Sequence, residues 1–154
     1  MTKWITPITD RSILDITVKT PKAYLNVTDL SRIESNIAYL SKRLSLLGYR
    51  IKQTIPIDWA KCGVPRVADI QRICESILEI VNVYHKPCEY TDLSGIPNKP
   101  LHFTDINAIE QNLSQILSLI EQGLTHDYLS RLTHGQLRSY THAQIRTGGV
   151  TTTN

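Results

Sequence analysis

Cysteine is scarce: Cys62, Cys74 and Cys88 are the whole supply. An odd number without a motif spacing argues against a disulfide scaffold and fits a chain made in a reducing cytoplasm. Charge of one sign is lacking too. Seventeen Lys and Arg face fourteen Asp and Glu, mixed along 154 residues, for a formal charge of +3. That balance argues against nucleic acid as a partner, although near the C-terminus Arg131, Arg138 and Arg146 face only Asp127. No apolar run approaches a membrane span, and Met1-Thr2-Lys3-Trp4-Ile5-Thr6-Pro7 has no apolar core segment. Neither a membrane anchor nor a secretory leader is expected.

The motifs of common enzymes are missing as well. There is no Gly-rich phosphate loop, no G-x-S-x-G and no H-E-x-x-H. His85-Lys86-Pro87-Cys88 resembles half of a zinc site, but its partner pair is absent. Cys74 fits a small core residue on a helix, and Asp58 and Asp92 are ordinary loop acids. No constellation offers nucleophile, base and orienter together, so no enzyme, cofactor or metal site is expected.

What the chain does have is one phrase written three times. Leu124-Thr125-His126-Asp127-Tyr128-Leu129-Ser130-Arg131 is followed by Leu132-Thr133-His134-Gly135-Gln136-Leu137-Arg138-Ser139, then Tyr140-Thr141-His142-Ala143-Gln144-Ile145-Arg146-Thr147. An octad is too short to be a domain, so each copy must bury its apolar pair against something else. Eight residues turn an ideal helix through about 800°, so equivalent positions drift by about 80° per copy. A strand keeps the parity but puts Leu132 and Leu137 on opposite faces. Thr133 to Gln136 and Thr141 to Gln144 both fit the capping box. Short helical turns joined by extended links therefore fit best, with Leu124/Leu129, Leu132/Leu137 and Tyr140/Ile145 as docking pegs. Three His at this spacing could meet a metal on a symmetry axis, but no acid or Cys recurs with them, and a packing or solvent-facing role is favoured.

Upstream, residues 1–26 read as an irregular, extended arm broken by Pro7 and Pro21, laid on the surface or on a neighbour. Three amphipathic helices follow. The first carries apolar residues at 30, 33, 37, 40, 44 and 47, with Thr28 as N-cap and Gly48 as stop. The middle one carries Ile70, Ile73, Ile77 and Ile80, with Pro65 near its first turn, and runs to about Val83. The third carries Ile106, Ile109, Leu113, Ile116, Leu117 and Ile120, and Gly123 ends it. The loops between them are long, but Ile55, Ile57 and Trp59, and Leu93, Ile96 and Leu101, could dock over the helices.

The fold expected is all-α: a small three-helix bundle over 27–123 with long ordered loops, an N-terminal arm over 1–26, three octads over 124–147 and a flexible end over 148–154. The first and third helices repeat each other at Thr, Asp, aliphatic, Ile, Glu and Asn. Good helix starts resemble one another, but Asn36 and Asn112 sit at the same offset where helix propensity does not call for Asn. They favour an internal duplication or a shared packing geometry, with both Asn bonding loop backbone.

With these residues in view, the chain resembles small structural proteins of tailed phages and prophages of Gram-positive bacteria. Trp4-Ile5-Thr6-Pro7-Ile8-Thr9-Asp10-Arg11 is similar to their W-x-T-P-x-T-D start. The segment from Tyr24 through Asp29-Leu30-Ser31-Arg32-Ile33-Glu34-Ser35-Asn36 to Leu40 is similar to their D-L-N-R-I-E-x-N helix, and Asp105-Ile106-Asn107-Ala108-Ile109-Glu110 to a later D-I-N-x-I-E helix. The octads resemble Y-T-W/H-x-x-L repeats of related phage proteins, whose Trp at the position of His126, His134 and His142 implies packing there. The resemblance implies a virion component made in the bacterial host cytoplasm and placed with tail, baseplate or fibre proteins. A head decoration or head-fibre base is the alternative, and a basic helical nucleic-acid-binding or regulatory protein is the rival from another class. The implied partners are other virion proteins and further copies of the chain around a symmetry axis. The expected contact residues are Leu124, Leu129, Leu132, Leu137, Tyr140 and Ile145, with Trp4 and Ile5 of the arm.

Overall fold

One aspartate device starts four of the helices. In each, the third helical residue is an Asp whose carboxylate accepts the backbone N–H of the residue just before the helix. Asp15 accepts from Ser12 (2.9 Å), Asp29 from Asn26 (2.9 Å), Asp69 from Arg66 (2.8 Å) and Asp105 from His102 (2.9 Å). Each bond satisfies a backbone donor at the helix entrance and puts negative charge at the positive end of the helix dipole.

The computed structural model describes residues 3–52 and 55–123. It contains α1 (Ile13–Val18), α2 (Val27–Leu46), α3 (Trp59–Cys62), α4 (Val67–Val83), a 3-10 turn (Ile96–Asn98) and α5 (Phe103–Glu121). The regular structure of the described residues is helical, with no strand among them. The octads and the C-terminal end lie outside the described residues.

Two of these helices depart from expectation. Residues 1–26 are not irregular throughout, because Ser12 and Asp15 cap the six-residue α1. Lys19 ends it in the left-handed conformation at φ 58°. The other, α3, is a single turn in the loop between α2 and α4, and it places Trp59 in the core at 2% exposure. The starts of α2 and α5 also shift. Thr28 is the second helical residue and not the cap, and Thr104 holds the same place in α5, since the helices begin at Val27 and Phe103. Asp29 and Asp105 recruit the backbone three residues earlier, which moves each start upstream. Pro65 likewise precedes the N-cap residue Arg66 and lies outside α4.

The apolar stripes behave as their period requires. Leu30, Ile33, Ile37, Leu40 and Leu44 of α2, Ile70, Ile73, Ile77 and Ile80 of α4, and Ile106, Ile109, Leu113 and Ile116 of α5 are all buried. Burying one such side chain fully contributes about 1.5–3 kcal/mol. Leu47 is 49% exposed, because α2 has already ended. Gly48 (φ 92°) turns the chain there, with Gly48 N–H on the Ser45 carbonyl (3.1 Å) and Tyr49 N–H on that of Leu44 (3.0 Å). This is the paired closure of a Schellman motif. Around the helices, Leu93 and Ile96 are buried loop residues, whereas Ile55 is exposed. α2 contacts α3 and α4, and the 3-10 turn lies on α4.

Contacts divide the chain into two units, Met1–Leu119 and Ile120–Asn154. The arm, α1 to α4 and nearly all of α5 belong to the first. Of the second, the described part is the last turn of α5 and Gly123, whose φ of 70° suits a helix stop. Among the described residues no helix is long and apolar enough to cross a membrane.

Candidate functional site

The N-terminal arm is held by side chains of α2 and α5 at every third residue. Asn36 of α2, fully buried, accepts the Ile5 N–H at 2.9 Å and donates to the Ile5 carbonyl at 2.7 Å. Pro7 has no N–H to offer, and the next donor, Ile8 N–H, goes to Glu110 of α5. Asn107 of α5 accepts the Arg11 N–H (3.4 Å) and donates to the Arg11 carbonyl (2.9 Å). An amide side chain has one acceptor and one NH2 donor, so it can serve both groups of a single backbone residue as a neighbouring strand would.

Four charges, one of them from the arm itself, join the arm to α2 and α5. Arg11 donates to Asp29 at 3.0 Å and stands 3.6 Å from Glu110. Arg32 donates to Glu110 through Nε (2.9 Å) and a terminal nitrogen (2.7 Å), and also to Asp29. Arg11 closes back on the Ile8 carbonyl as well. The Arg11 and Glu110 side chains are 0% exposed. Two cations and two anions balance, which is the condition for burying charge. For Arg32, burial opposes the charge, but hydrogen bonds to Glu110 and Asp29 outweigh it and raise its pKa.

The same positions of the two similar helices do matching work. Glu34 of α2 is fully buried, accepts the N–H of Ile57 and pairs with Arg72 of α4. Ile57 follows Pro56, as Ile8 follows Pro7. Asn112 of α5 takes the N–H (2.9 Å) and carbonyl (2.8 Å) of Thr91, as Asn36 does for Ile5. The expectation that both Asn bond loop backbone is met, and the sharing extends to Glu34 and Glu110. Good helix starts alone do not produce six long-range bonds to backbone in three matched pairs, so a common packing geometry is the better account.

These residues hold backbone, and their chemistry is structural. Burial pushes the Cys74 thiol up to about 11, away from the thiolate that a nucleophile or ligand needs. Burial also pushes Tyr84 up to about 12. Among the described residues no group of three His, Cys, Asp or Glu could hold a metal ion.

Of the expected contact residues, Trp4 and Ile5 fall in the described arm. Trp4 is half-buried, with its ring 5.8 Å from that of Tyr39. Ile5 is 44% exposed while its backbone is clamped. Leu124, Leu129, Leu132, Leu137, Tyr140 and Ile145 lie outside the described residues. Sequence reasoning missed Arg11, Asp29, Arg32, Asn107 and Glu110 as a group. Their nearest signal is that Glu34 and Glu110 each directly follow a stripe Ile at the same place in both phrases.

Compared with protein-family models, curated proteins and solved structures, the chain matches none.

Proposed function

We propose that this protein is a non-enzymatic structural component of a tailed-phage virion, at a tail, baseplate or fibre-attachment site. In this reading α2, α4 and α5 close as a three-helix bundle that serves as a rigid module. The octad tail carries the contacts with neighbours. Copies set around a symmetry axis multiply a weak contact by the number of subunits.

The observation that carries the reading is the tandem octad, three apolar pairs in a period that suits neither one helix stripe nor one strand face. The resemblance of the Trp4 start and of the two Asp-x-x-x-Ile-Glu helices to phage structural proteins supports it. So does the use of buried polar groups to fix backbone, which suits a rigid part. The clamped arm refines its own role: its backbone is spent on α2 and α5, leaving side chains such as Ile5 for outside contact.

Labelling the protein and imaging intact particles tests the assignment. Label at the tail, baseplate or fibre base supports it; label on the head moves the protein to a head decoration or head-fibre base; particles without label refute both. The local excess of Arg131, Arg138 and Arg146 over Asp127 favours one rival, nucleic-acid binding. Steeply salt-dependent DNA binding would support that rival, and absence of binding at low salt would remove it.

A further inference from the structure

We propose that a hollow beside α4 receives the aliphatic–arginine peg of an octad from a second copy of this chain. The inference rests on the reading of the octads as docking pegs and adds the surface that takes them. The hollow holds about 260 Å³; its lining includes the apolar Cys74, Leu78, Leu93 and Pro97 and the exposed acids Glu75 and Asp92. It is smaller than the roughly 300–1,000 Å³ usual for small-molecule pockets. Leu78 lies outside the buried stripe of α4 and is 48% exposed, so apolar surface is on offer there.

Glu75 and Asp92 carry negative charge that no ion pair among the described residues takes up. Glu75 accepts from Gln71 (2.8 Å), and Asp92 accepts the N–H and hydroxyl of Ser94 (3.0 and 2.8 Å). Each carboxylate keeps lone pairs for a guanidinium. Hydrogen bonds from Ser94, with a smaller contribution from the Lys86 charge, hold the Asp92 carboxyl below its usual range, yet the Lys86 ammonium stands over the Tyr90 ring, 5.2 Å from its centre, and makes no ion pair with Asp92.

The octads supply the complement. Leu137-Arg138 and Ile145-Arg146 are adjacent pairs, and Leu129 precedes Arg131 by two. Other surfaces match such a peg less well. The hollow of about 200 Å³ between Leu25 and Leu101 is lined by Arg66 and Lys99 and offers no carboxylate to a guanidinium. The hollow of about 330 Å³ shares Asp92, but its second carboxylate, Asp105, is already paired with Lys99 at 2.8 Å, so it offers a peg one unpaired acid instead of two. The exposed Ile13, Leu14 and Val18 of α1 have Asp10 held by Lys22 and Asp15 held by its own cap. A chain offers three pegs, and among these hollows one matches them, so the remaining pegs find their match on other copies.

The test is a charge exchange in the full-length protein. One variant carries Glu75→Lys with Asp92→Asn, the Asn keeping an acceptor for Ser94. The other carries Arg131→Glu, Arg138→Glu and Arg146→Glu. Sedimentation reads association, and thermal melting confirms folding. Each variant alone should self-associate at least about tenfold more weakly than the wild type, and wild-type association should weaken with salt. An equimolar mixture should recover association, since the lysine introduced into one chain's hollow then meets the glutamates introduced into the other's pegs. Should the double variant misfold, Glu75→Gln, which keeps the Gln71 bond, should still weaken association. Unchanged association in the folded pocket variant, no recovery on mixing, or a wild type that stays monomeric would each overturn the proposal. Octad-dependent incorporation into particles that ignores Glu75 and Asp92 would overturn the hollow alone and leave the virion reading standing.

Discussion

Replacing Glu110 with Ala should cost this fold more than any other single loss of charge. The side chain is 0% exposed and serves three groups at once: Ile8 N–H, the Arg32 guanidinium at 2.7–2.9 Å, and Arg11 at 3.6 Å. Without it, two buried guanidinium groups share Asp29, and the cluster goes from neutral to one net positive charge. Breaking a buried pair from one side costs about 3–5 kcal/mol. The orphaned Ile8 N–H alone would cost about 1–3 kcal/mol, but the two terms share a site and do not simply add. About 4 kcal/mol is a large part of the roughly 5–15 kcal/mol that holds a typical domain together. At about 2–8 °C per kcal/mol, the melting midpoint should fall by about 10 °C or more. Glu34→Ala is the internal comparison. Its partner Arg72 is 33% exposed, so water can take over that cation, and the loss should be smaller. Urea titration of both variants gives the two numbers. A loss under about 1 kcal/mol for Glu110→Ala, or a larger loss for Glu34→Ala, would refute the reasoning that the four-charge cluster is desolvated and mutually dependent.

Three further outcomes follow from the same structure. Asn36→Ala removes both bonds to Ile5, so it should cost about 1–3 kcal/mol and expose the arm, read as faster proteolysis before Arg11 and altered Trp4 fluorescence. Stability should fall as pH rises above 9, because the unfolded chain loses the Cys74 proton at its usual 9.0 while the folded chain keeps it to about 11. Tyr84, displaced from 10.0 to about 12, adds to the same alkaline loss. The folded chain then binds more protons than the unfolded one, so the slope is negative, with at most about 3 kcal/mol from either group; a flat denaturation midpoint from pH 8 to 11 would contradict it. Gly48→Ala should destabilise by about 1–2 kcal/mol, since φ 92° suits glycine and nothing crowds a Cβ there; an unchanged melting point would remove the helix-stop role.

How far the sequence can be read depends on whether a feature repeats within a few residues. The stripes of α2, α4 and α5 recur every three or four positions over four or five turns, so their burial was legible, as was the stop at Gly48. Asn36 and Asn112 were legible as backbone clamps because the repeated phrase set them side by side. α1 and α3 span six and four residues, too short for a period to show, and α1 buries none of its side chains. Its one signal was Ser12 with Asp15 three residues on. The charge cluster was hidden for another reason. Arg32 and Glu110 are separated by 78 residues, and no local pattern says which cation meets which acid. Charged residues beside a stripe read as a solvated face, and only the meeting of α2, α5 and the arm puts them inside. The octads show the opposite limit: their period is plain, but what they bury against is not written in the period.

The proposed function stands on those octads as the assembly element. The most direct test is to complement particle production with a chain lacking residues 124–154 and count copies per purified particle by quantitative mass spectrometry. The expected result is a helical, cooperatively melting protein that is missing from particles. Incorporation of the truncated chain at the wild-type copy number would contradict it.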